Sequence, residues 1–368
     1  MTSMMREAIR VARRGRGRTH PNPRVGAVVV RDGRIVGRGF HRAPGQPHAE
    51  TEALNQAGPL AEGAALYVTL EPCRHQGRTP PCTEQILAAG IRHVAIAVRD
   101  PHPVAGGGGA RLAQHGVDVT WGDGFDEAVA ENAPFFSWQL FGRPWVIMKS
   151  ALSADGRMGL SRGTRRYLSG EAALRDVHHL RNDVDAVLVG SGTVLADDPR
   201  LTCRLNRGGR DPVRVALDGR GRLTGREAFL TVESTAPALV YSTEMPGADY
   251  ERRIFQAGGE VVRVGETAGH TALGEVLRDL GERALLSVLV EAGPTVQASL
   301  WEAGLFDEWV AYWTPWLSGG DQRPPLWGAD VDPAALKVRD VVRLGDDVRV
   351  RAVVQEKWEA LKNVLWHH

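Results

Sequence analysis

Cysteine is scarce in this sequence: Cys73, Cys82 and Cys203 are the three in 368 residues. So few thiols exclude a disulfide framework and fit a reducing compartment, so a cytoplasmic location is expected. Charge of one sign is missing too. Forty-five Lys and Arg stand against 44 Asp and Glu, a formal net charge of +1, and aromatics make up only 6%. That balance supplies neither a basic groove nor the stacking platforms that nucleic acid requires. No apolar run approaches a membrane span. Met1 to Arg18 is rich in Arg but lacks the apolar core of a secretory signal. Its Met5, Ala8, Ile9 and Ala12 fit one face of a helix, which leaves the arginines for the solvated face. No internal repeat is present. What remains is a globular composition with 43% hydrophobic residues, in a chain long enough for two domains.

Two of the three cysteines belong to a pattern. Pro47-His48-Ala49-Glu50 is followed at a distance by Glu71-Pro72-Cys73 and Pro80-Pro81-Cys82. One imidazole and two thiolates leave the fourth position of a tetrahedral zinc open, which marks a catalytic site rather than a structural one. Zinc so held lowers the pKa of water toward neutrality. Glu50, two residues past His48, is placed to carry protons without being a ligand. His-x-Glu followed by Pro-Cys and a second Cys is the zinc deaminase signature. Nucleobase editors place two residues between the cysteines; here eight do so, Arg74 to Pro81. Cys203, alone, reads as a small apolar residue. His20, His75 and His93 read as structural or surface residues.

Taken in order, the chain reads as α/β. A first helix leads to a hairpin, Val25–Val30 and Arg34–Phe40, about Asp32-Gly33. A helix from His48, a strand at 66–70, a helix opening near Cys82 and a strand at 94–98 follow. Alternation of this kind predicts a mostly parallel sheet with the site at strand ends. Gly106 to Gly109 reads as a flexible turn rather than a phosphate loop, because no Lys-Ser/Thr follows. Phe125 to Leu140 reads as a connecting helix broken near Pro134. From Trp145 the pattern restarts, with strands at 146–149, 186–190, 213–217, 238–241, 260–264, 286–290, 309–315 and 348–354. Glu291 to Val296 is a glycine turn opening a helix, a form that suits a phosphate. Asp197-Asp198 before Pro199 reads either as a site or as a cap. Two domains are expected, 1–143 and 144–356, followed by a tail, 357–368.

Taken together these motifs resemble a known family. Thr19-His20-Pro21-Asn22-Pro23, His48-Ala49-Glu50, Thr69 to Cys73 and Gly77-Arg78-Thr79-Pro80-Pro81-Cys82 are similar to the bifunctional deaminase/reductases of riboflavin biosynthesis. Ser153 to Gly156, Thr193 to Thr202 and Val290 to Thr295 extend the resemblance over nearly the whole chain. It implies a cytidine-deaminase-like α/β/α sandwich followed by a dihydrofolate-reductase-like α/β domain. It implies zinc-dependent hydrolysis of the amine of 2,5-diamino-6-ribosylamino-pyrimidinone 5′-phosphate. NADPH-dependent reduction of 5-amino-6-(5-phosphoribosylamino)uracil to the ribityl product then follows.

The implied residues are these. His48, Cys73 and Cys82 bind zinc and Glu50 shuttles protons. Asn22, His41, Arg78 and Asp100 hold the deaminase substrate. Lys149, Arg165, Arg181, Leu201, Arg204 and Glu291 hold the reductase substrate. Ala151, Tyr167, Thr193, Asp197 and the turn Gly293-Pro294-Thr295-Val296 hold NADPH. The resemblance also implies small-molecule partners without nucleic acid or membrane, and a homodimer or tetramer. Four positions depart from the family pattern: His102 for Asn, Arg165 for Ser, Tyr167 for Trp and Trp316 for Lys. Arg165 and Tyr167 motivate the alternative of a deaminase with an altered reductase domain. A nucleic-acid deaminase is disfavoured by charge and aromatic content.

Overall fold

A computed structural model describes residues 1–76, 80–158, 168–206, 208–244, 246–267, 270–318 and 334–367. The chain forms two compact units, Met1–Phe141 with Glu359–His368, and Gly142–Trp358.

The first unit opens with α1 (Ser3–Ala12), capped by the Thr2 hydroxyl, which accepts from the Met5 amide. Its apolar face is buried as expected. The arginines after it are not all merely solvated. Arg13, Arg16 and Arg24 converge on buried Glu131. Burial alone would raise that carboxyl's pKa, but the guanidiniums outweigh it and hold the pKa below its ordinary value. β1 (Gly26–Arg31) and β2 (Arg34–Phe40) form the expected hairpin. Asp32 and Gly33 take φ of 50° and 72°, as a two-residue type I′ turn demands. β2 lies under α2 (Ala49–Ala57), and Gly39 permits the approach: a Cβ there would stand 2.0 Å from the Ala49 carbonyl oxygen. β3 (Ala65–Val68), α3 (Cys82–Ala88), β4 (His93–Ile96), α4 (Gly108–Gln114), β5 (Asp118–Trp121) and α5 (Phe125–Phe141) complete the unit.

The sheet order is β2-β1-β3-β4-β5. β2, β3, β4 and β5 share one direction, and β1 is antiparallel to both its neighbours, β2 and β3. The expectation of a mostly parallel sheet holds for strand direction, but only the β3–β4 and β4–β5 pairings are parallel, because the opening hairpin sets β1 between β2 and β3. α5 leaves helical geometry at Asn132, two residues before Pro134. The Asn132 amide bonds both the N–H and the C=O of Arg24, which ties the break to the strand-entry segment.

The second unit contains β6 (Trp145–Leu152), α6 (Glu171–Asp183), β7 (Ala186–Gly190), α7 (Ser191–Asp197), β8 (Val213–Leu217) and α8 (Ala228–Thr231). β9 (Ala238–Ser242), α9 (Ala248–Gln256), β10 (Gly259–Arg263), a short β11 (Glu266–Thr267) and β12 (His270–Thr271) follow. Next come α10 (Leu273–Glu282), β13 (Ser287–Val290), α11 (Pro294–Glu302), β14 (Glu308–Trp313), β15 (Leu336–Leu344), β16 (Asp347–Val354) and α12 (Gln355–His367). The nine strands order as β10-β9-β8-β7-β13-β6-β14-β16-β15. Seven run parallel, from β10 to β14, and the last two are antiparallel. Val146, Leu188, Val215, Leu239 and Val288 from neighbouring strands join one buried cluster. The chain leaves β7 toward β8 but leaves β13 toward β14, on the opposite side. Where connections diverge like this, a crevice opens beyond the strand ends. α12 continues beyond β16, and its residues from Glu359 group with the first unit, so the expected tail is helical and has a place.

Among the described residues no helix is long and apolar enough to cross a membrane. Arg78, Arg165 and Tyr167 lie outside the described residues.

Candidate active sites

In the first unit the elements bring three soft donors together. His48 is the N-cap of α2 and Cys82 opens α3. Cys73 lies beyond β3, and the Thr83 N–H donates to its carbonyl. The ligand atoms of His48, Cys73 and Cys82 all lie within 4.8 Å of one another. His48 Nδ1 is 3.1 Å from Cys82 Sγ and 3.6 Å from Cys73 Sγ. Such separations suit one zinc with ligands at roughly 2.0–2.3 Å. The Cys82 N–H points at Cys73 Sγ, 3.5 Å away. Hydrogen bonds from Cys82 and His48 pull the pKa of Cys73 down, while that of its buried neighbour Cys82 is pushed up. Donor set and spacing fit zinc, and Glu50 stands beside Cys82 without joining the set. Burial pushes the Glu50 carboxyl up to about 7, against the pull of His48.

These groups open into a cavity of about 510 Å³ that Asn22, His41 and Asp100 also line. His41 Nδ1 faces the Pro47 carbonyl at 3.4 Å and its Nε2 faces Asn22 Nδ2 at 3.0 Å. A carbonyl requires a donor, so Nδ1 carries the proton and Nε2 accepts. Burial lowers the pKa of His41, which keeps it neutral in this role. Asn22 therefore turns its Oδ1 away from His41. His102, one of the four departures, has a similarly fixed tautomer. Its Nδ1 accepts from the N–H of Val104 and Ala105, both 3.2 Å away, so Nε2 carries the proton.

Other residues here were not foreseen. Trp138 and Gln139 of α5 line the cavity, although that helix reads in the sequence as a connector. The cluster Phe135-Phe136, beside them, is the signal that could have marked it. Glu71 is buried, and its carboxylate accepts from the N–H groups of Asp100, Gly107 and Gly109. The glycine run is thus not merely a flexible turn. Its amides clamp an internal carboxylate, and a Cβ on Gly108 would stand 1.8 Å from the Pro72 carbonyl oxygen.

In the second unit a cavity of about 530 Å³ opens beyond the ends of β7, β8 and β13. Thr193, Asp197, Gly293, Pro294, Thr295 and Val296 all line it. α11 begins here after Gly293, so the unbonded amides of its first turn lie at this cavity. Arg220, Arg222 and Ser191, unmarked in the sequence, also line it. Cationic side chains, helix-start amides and this volume fit a phosphorylated dinucleotide. Asp197 and Asp198 separate in role. Asp198 takes φ of 42° at the end of α7, and its carboxylate accepts from the Ala228 N–H at 2.7 Å. Ala151 lies in β6 opposite Tyr312 and is not among the residues lining this cavity.

A charged cluster forms elsewhere in the same unit. Arg181 donates twice to Glu291, at 2.6 and 3.0 Å, and once to the Thr202 carbonyl. Burial opposes ionisation of Glu291, but Arg181 and Lys149 outweigh it and hold the carboxyl at about 2. Burial lowers the pKa of Lys149, assisted by Arg181 and opposed by Glu291. The fully buried Gln297 amide bonds the carbonyls of Lys149 and Ala292 and accepts from Ser150, which locks α11 to β6. Arg204 reaches the Thr202 hydroxyl, and its N–H donates to His178 Nδ1. Leu201, at φ 57°, is buried beneath this loop.

Comparison with known proteins covers both halves. Residues 1–98 match the cytidine and deoxycytidylate deaminase zinc-binding region, and residues 144–350 match the RibD C-terminal domain. The riboflavin biosynthesis protein RibD of Bacillus amyloliquefaciens is 40% identical over 359 residues, 96% of each chain. The Escherichia coli protein of the same name is 38% identical over 366 residues, 95% of this chain and 98% of its own. The structure of a Thermotoga maritima diaminohydroxyphosphoribosylaminopyrimidine deaminase/5-amino-6-(5-phosphoribosylamino)uracil reductase superposes with a TM-score of 0.83. It is 37% identical and the match covers 96% of this chain and 98% of that one. Acinetobacter baumannii RibD gives a TM-score of 0.83 at 36% identity, with 95% and 97% coverage. The chain belongs to the RibD family, the bifunctional deaminase/reductases of riboflavin biosynthesis.

Proposed function

We propose that residues 1–143 deaminate the diamino-pyrimidinone ribosyl phosphate and that residues 144–356 reduce the product, with roles divided as follows. His48, Cys73 and Cys82 hold the zinc, which supplies Lewis-acid activation of water. Glu50 takes a proton from the attacking water and returns it to the departing amine, so ammonia leaves neutral. Asn22 Oδ1, fixed by His41, accepts from an N–H of the pyrimidine. His102 Nε2 donates to the substrate where relatives place an amide. Asp100, tied to Glu71 through its backbone, and Arg78 complete the hold on the ribosyl phosphate.

In the reductase half, Thr193, Asp197 and the first turn of α11 bind NADPH, which supplies the hydride. Tyr167 and Ala151 belong to the same cofactor side by resemblance. The sugar carbon gains a hydride and the ring oxygen needs a proton for the ribosyl ring to open. Lys149 is the proton-bearing group of the cluster, and its lowered pKa brings proton release nearer to neutrality. Glu291 orients Arg181, and with Arg204 and Arg165 these cations meet the sugar phosphate. Leu201 forms an apolar wall. The enzyme works in the cytoplasm as a homodimer; a monomer mass by light scattering would reject the dimer.

The observation that carries this reading is the convergence of His48, Cys73 and Cys82 with Glu50 buried beside them but outside the set. The test is a coupled turnover assay on zinc-loaded protein with the diamino-pyrimidinone ribosyl phosphate. Ammonia release followed by NADPH oxidation is expected. Ammonia without NADPH oxidation, even from supplied intermediate, rejects the reductase half. No ammonia from a fully zinc-loaded protein rejects the whole.

A further inference from the structure

A second cavity in the reductase unit, of about 450 Å³, is lined by Gly221, Arg222, Leu223, Thr224, Arg226 and Arg253. Arg222 also lines the larger cavity beside it, and its guanidinium donates to the Ser191 hydroxyl at 2.7 Å. Three exposed arginine side chains therefore line one small space that adjoins the cofactor cavity.

These arginines differ from others of the unit. Arg143, Arg181, Arg210, Arg263, Arg283, Arg349 and Arg351 each pair with a carboxylate. Among the described residues, Arg222, Arg226 and Arg253 make no ion pair. The nearby carboxylate of Glu227 is taken up by the N–H groups of Thr224 and Gly225 and the Thr224 hydroxyl. Like charges that line one concavity repel, and a bound anion relieves this.

The surrounding backbone is built to hold them close. Fully buried Asp218 accepts from the Leu223 N–H and the Tyr250 hydroxyl. That closes a turn in which Gly221 sits at φ 64°, where a Cβ would stand 2.7 Å from Pro246. Gly225, at φ 84°, lets its loop press on the end of α9, since a Cβ there would stand 2.9 Å from the Arg253 carbonyl oxygen. Two positions that need glycine thus bring the backbone that carries Arg222 and Arg226 close to the end of α9, where Arg253 stands. Arg253 is braced further against the Tyr250 ring, 5.9 Å from its centroid.

We propose that Arg222, Arg226 and Arg253 form a binding site for a phosphate monoester, contiguous with the cofactor cavity. A tetrahedral dianion meets the fork geometry of guanidinium from several sides. Two sources carry this group: a phosphate of the cofactor itself, or a separate phosphorylated metabolite that regulates the enzyme. The proposal rests on the cofactor assignment only in the first case.

The test is titration of the full-length, zinc-loaded protein with NADPH, NADH and inorganic phosphate at constant ionic strength, with chloride as control. Wild type is compared with Arg226→Gln, Arg253→Gln and the double variant. Thermal melting of each checks that it folds. If the cofactor is the source, phosphate competes with NADPH and not with NADH. Each single variant then weakens NADPH about 3- to 10-fold, leaving NADH unchanged. If a free metabolite is the source, phosphate binds in the presence of saturating NADPH, and the double variant loses that binding while keeping both cofactors. Phosphate behaving as chloride does, with NADPH and NADH binding unaltered in the folded double variant, overturns the site. Should neither nucleotide bind wild type, the cofactor assignment fails while phosphate titration still decides the arginine site.

Discussion

Glu50 and His178 show how single residues divide the work. Glu50 is buried and beside a donor set it does not join. Its replacement by Gln keeps the shape and removes the proposed proton carrier. Zinc content of Glu50→Gln should match wild type while the rate of ammonia release falls about 100- to 10,000-fold. A variant that loses zinc as well as rate would make Glu50 a ligand instead. His178 is not part of the sequence pattern, yet it stands beneath the reductase cluster. Burial lowers its pKa to about 4, with Arg181 and Arg204 adding to the effect. The unfolded chain therefore binds this proton first as pH falls. Stability is fully present above about pH 6.5 and is lost between that value and about 4. Partial exposure screens the effect to about 1 kcal/mol. His178→Gln should flatten that part of a plot of urea midpoint against pH; an unchanged slope would remove His178 as its source. The zinc triad was legible because His, Cys and Cys around a free Glu have few other uses. His178 was not, because a lone His on a helix carries no sign of what packs above it.

At the scale of elements, Glu71 joins three parts of the deaminase unit. It follows β3, precedes Cys73 by two residues, and binds the amides of Asp100, Gly107 and Gly109. Truncation leaves three N–H groups without their acceptor. Glu71→Ala should cost about 3 kcal/mol in urea denaturation of the zinc-loaded protein, and weaken zinc through the displaced Cys73. Loss of stability without loss of zinc affinity would confine Glu71 to a structural role. Gly39→Ala addresses the other ligand, since its Cβ would press on the first turn of α2, where His48 and Glu50 sit. It should cost about 1–3 kcal/mol and lower zinc affinity, measured by competition with a chromophoric chelator. Element positions were largely legible, as at the hairpin about Asp32-Gly33 and the parallel strands from β7 to β10. What the glycine run does was not, since Gly marks close approach or a turn but not which carboxylate its amides meet. β15 also escaped notice. It is an edge strand with Val338 and Val341 exposed, so its sequence lacks the alternation that a buried face imposes. Trp138 and Gln139 were hidden because a helix that links two domains reads the same whether or not it walls a cavity.

For the molecule as a whole, α12 belongs in part with an element more than two hundred residues earlier. The Trp366 ring stands edge-on to Phe125, 5.1 Å between centroids, and Lys362 pairs with Asp126 at 3.1 Å. Nothing in a short amphipathic tail states which surface it covers, so the expected boundary at 357 gave no hint of this. The two sites, by contrast, are each made from one unit. The zinc donors and Glu50 come from residues 48–82, and the cofactor cavity is lined entirely from residues 190–299. Zinc contributes to the first set by binding only the folded state, so its removal should act there. Treatment with a chelator should abolish ammonia release, and readdition of zinc should restore it. The metal-free protein should still bind NADPH within about twofold of the zinc-loaded affinity, a difference below about 0.4 kcal/mol. It should also still reduce supplied deaminated intermediate. NADPH fluorescence titration before and after chelation measures this directly. A parallel fall in NADPH affinity would mean that zinc supports the reductase site as well, and the division of labour between the two residue sets would have to be abandoned.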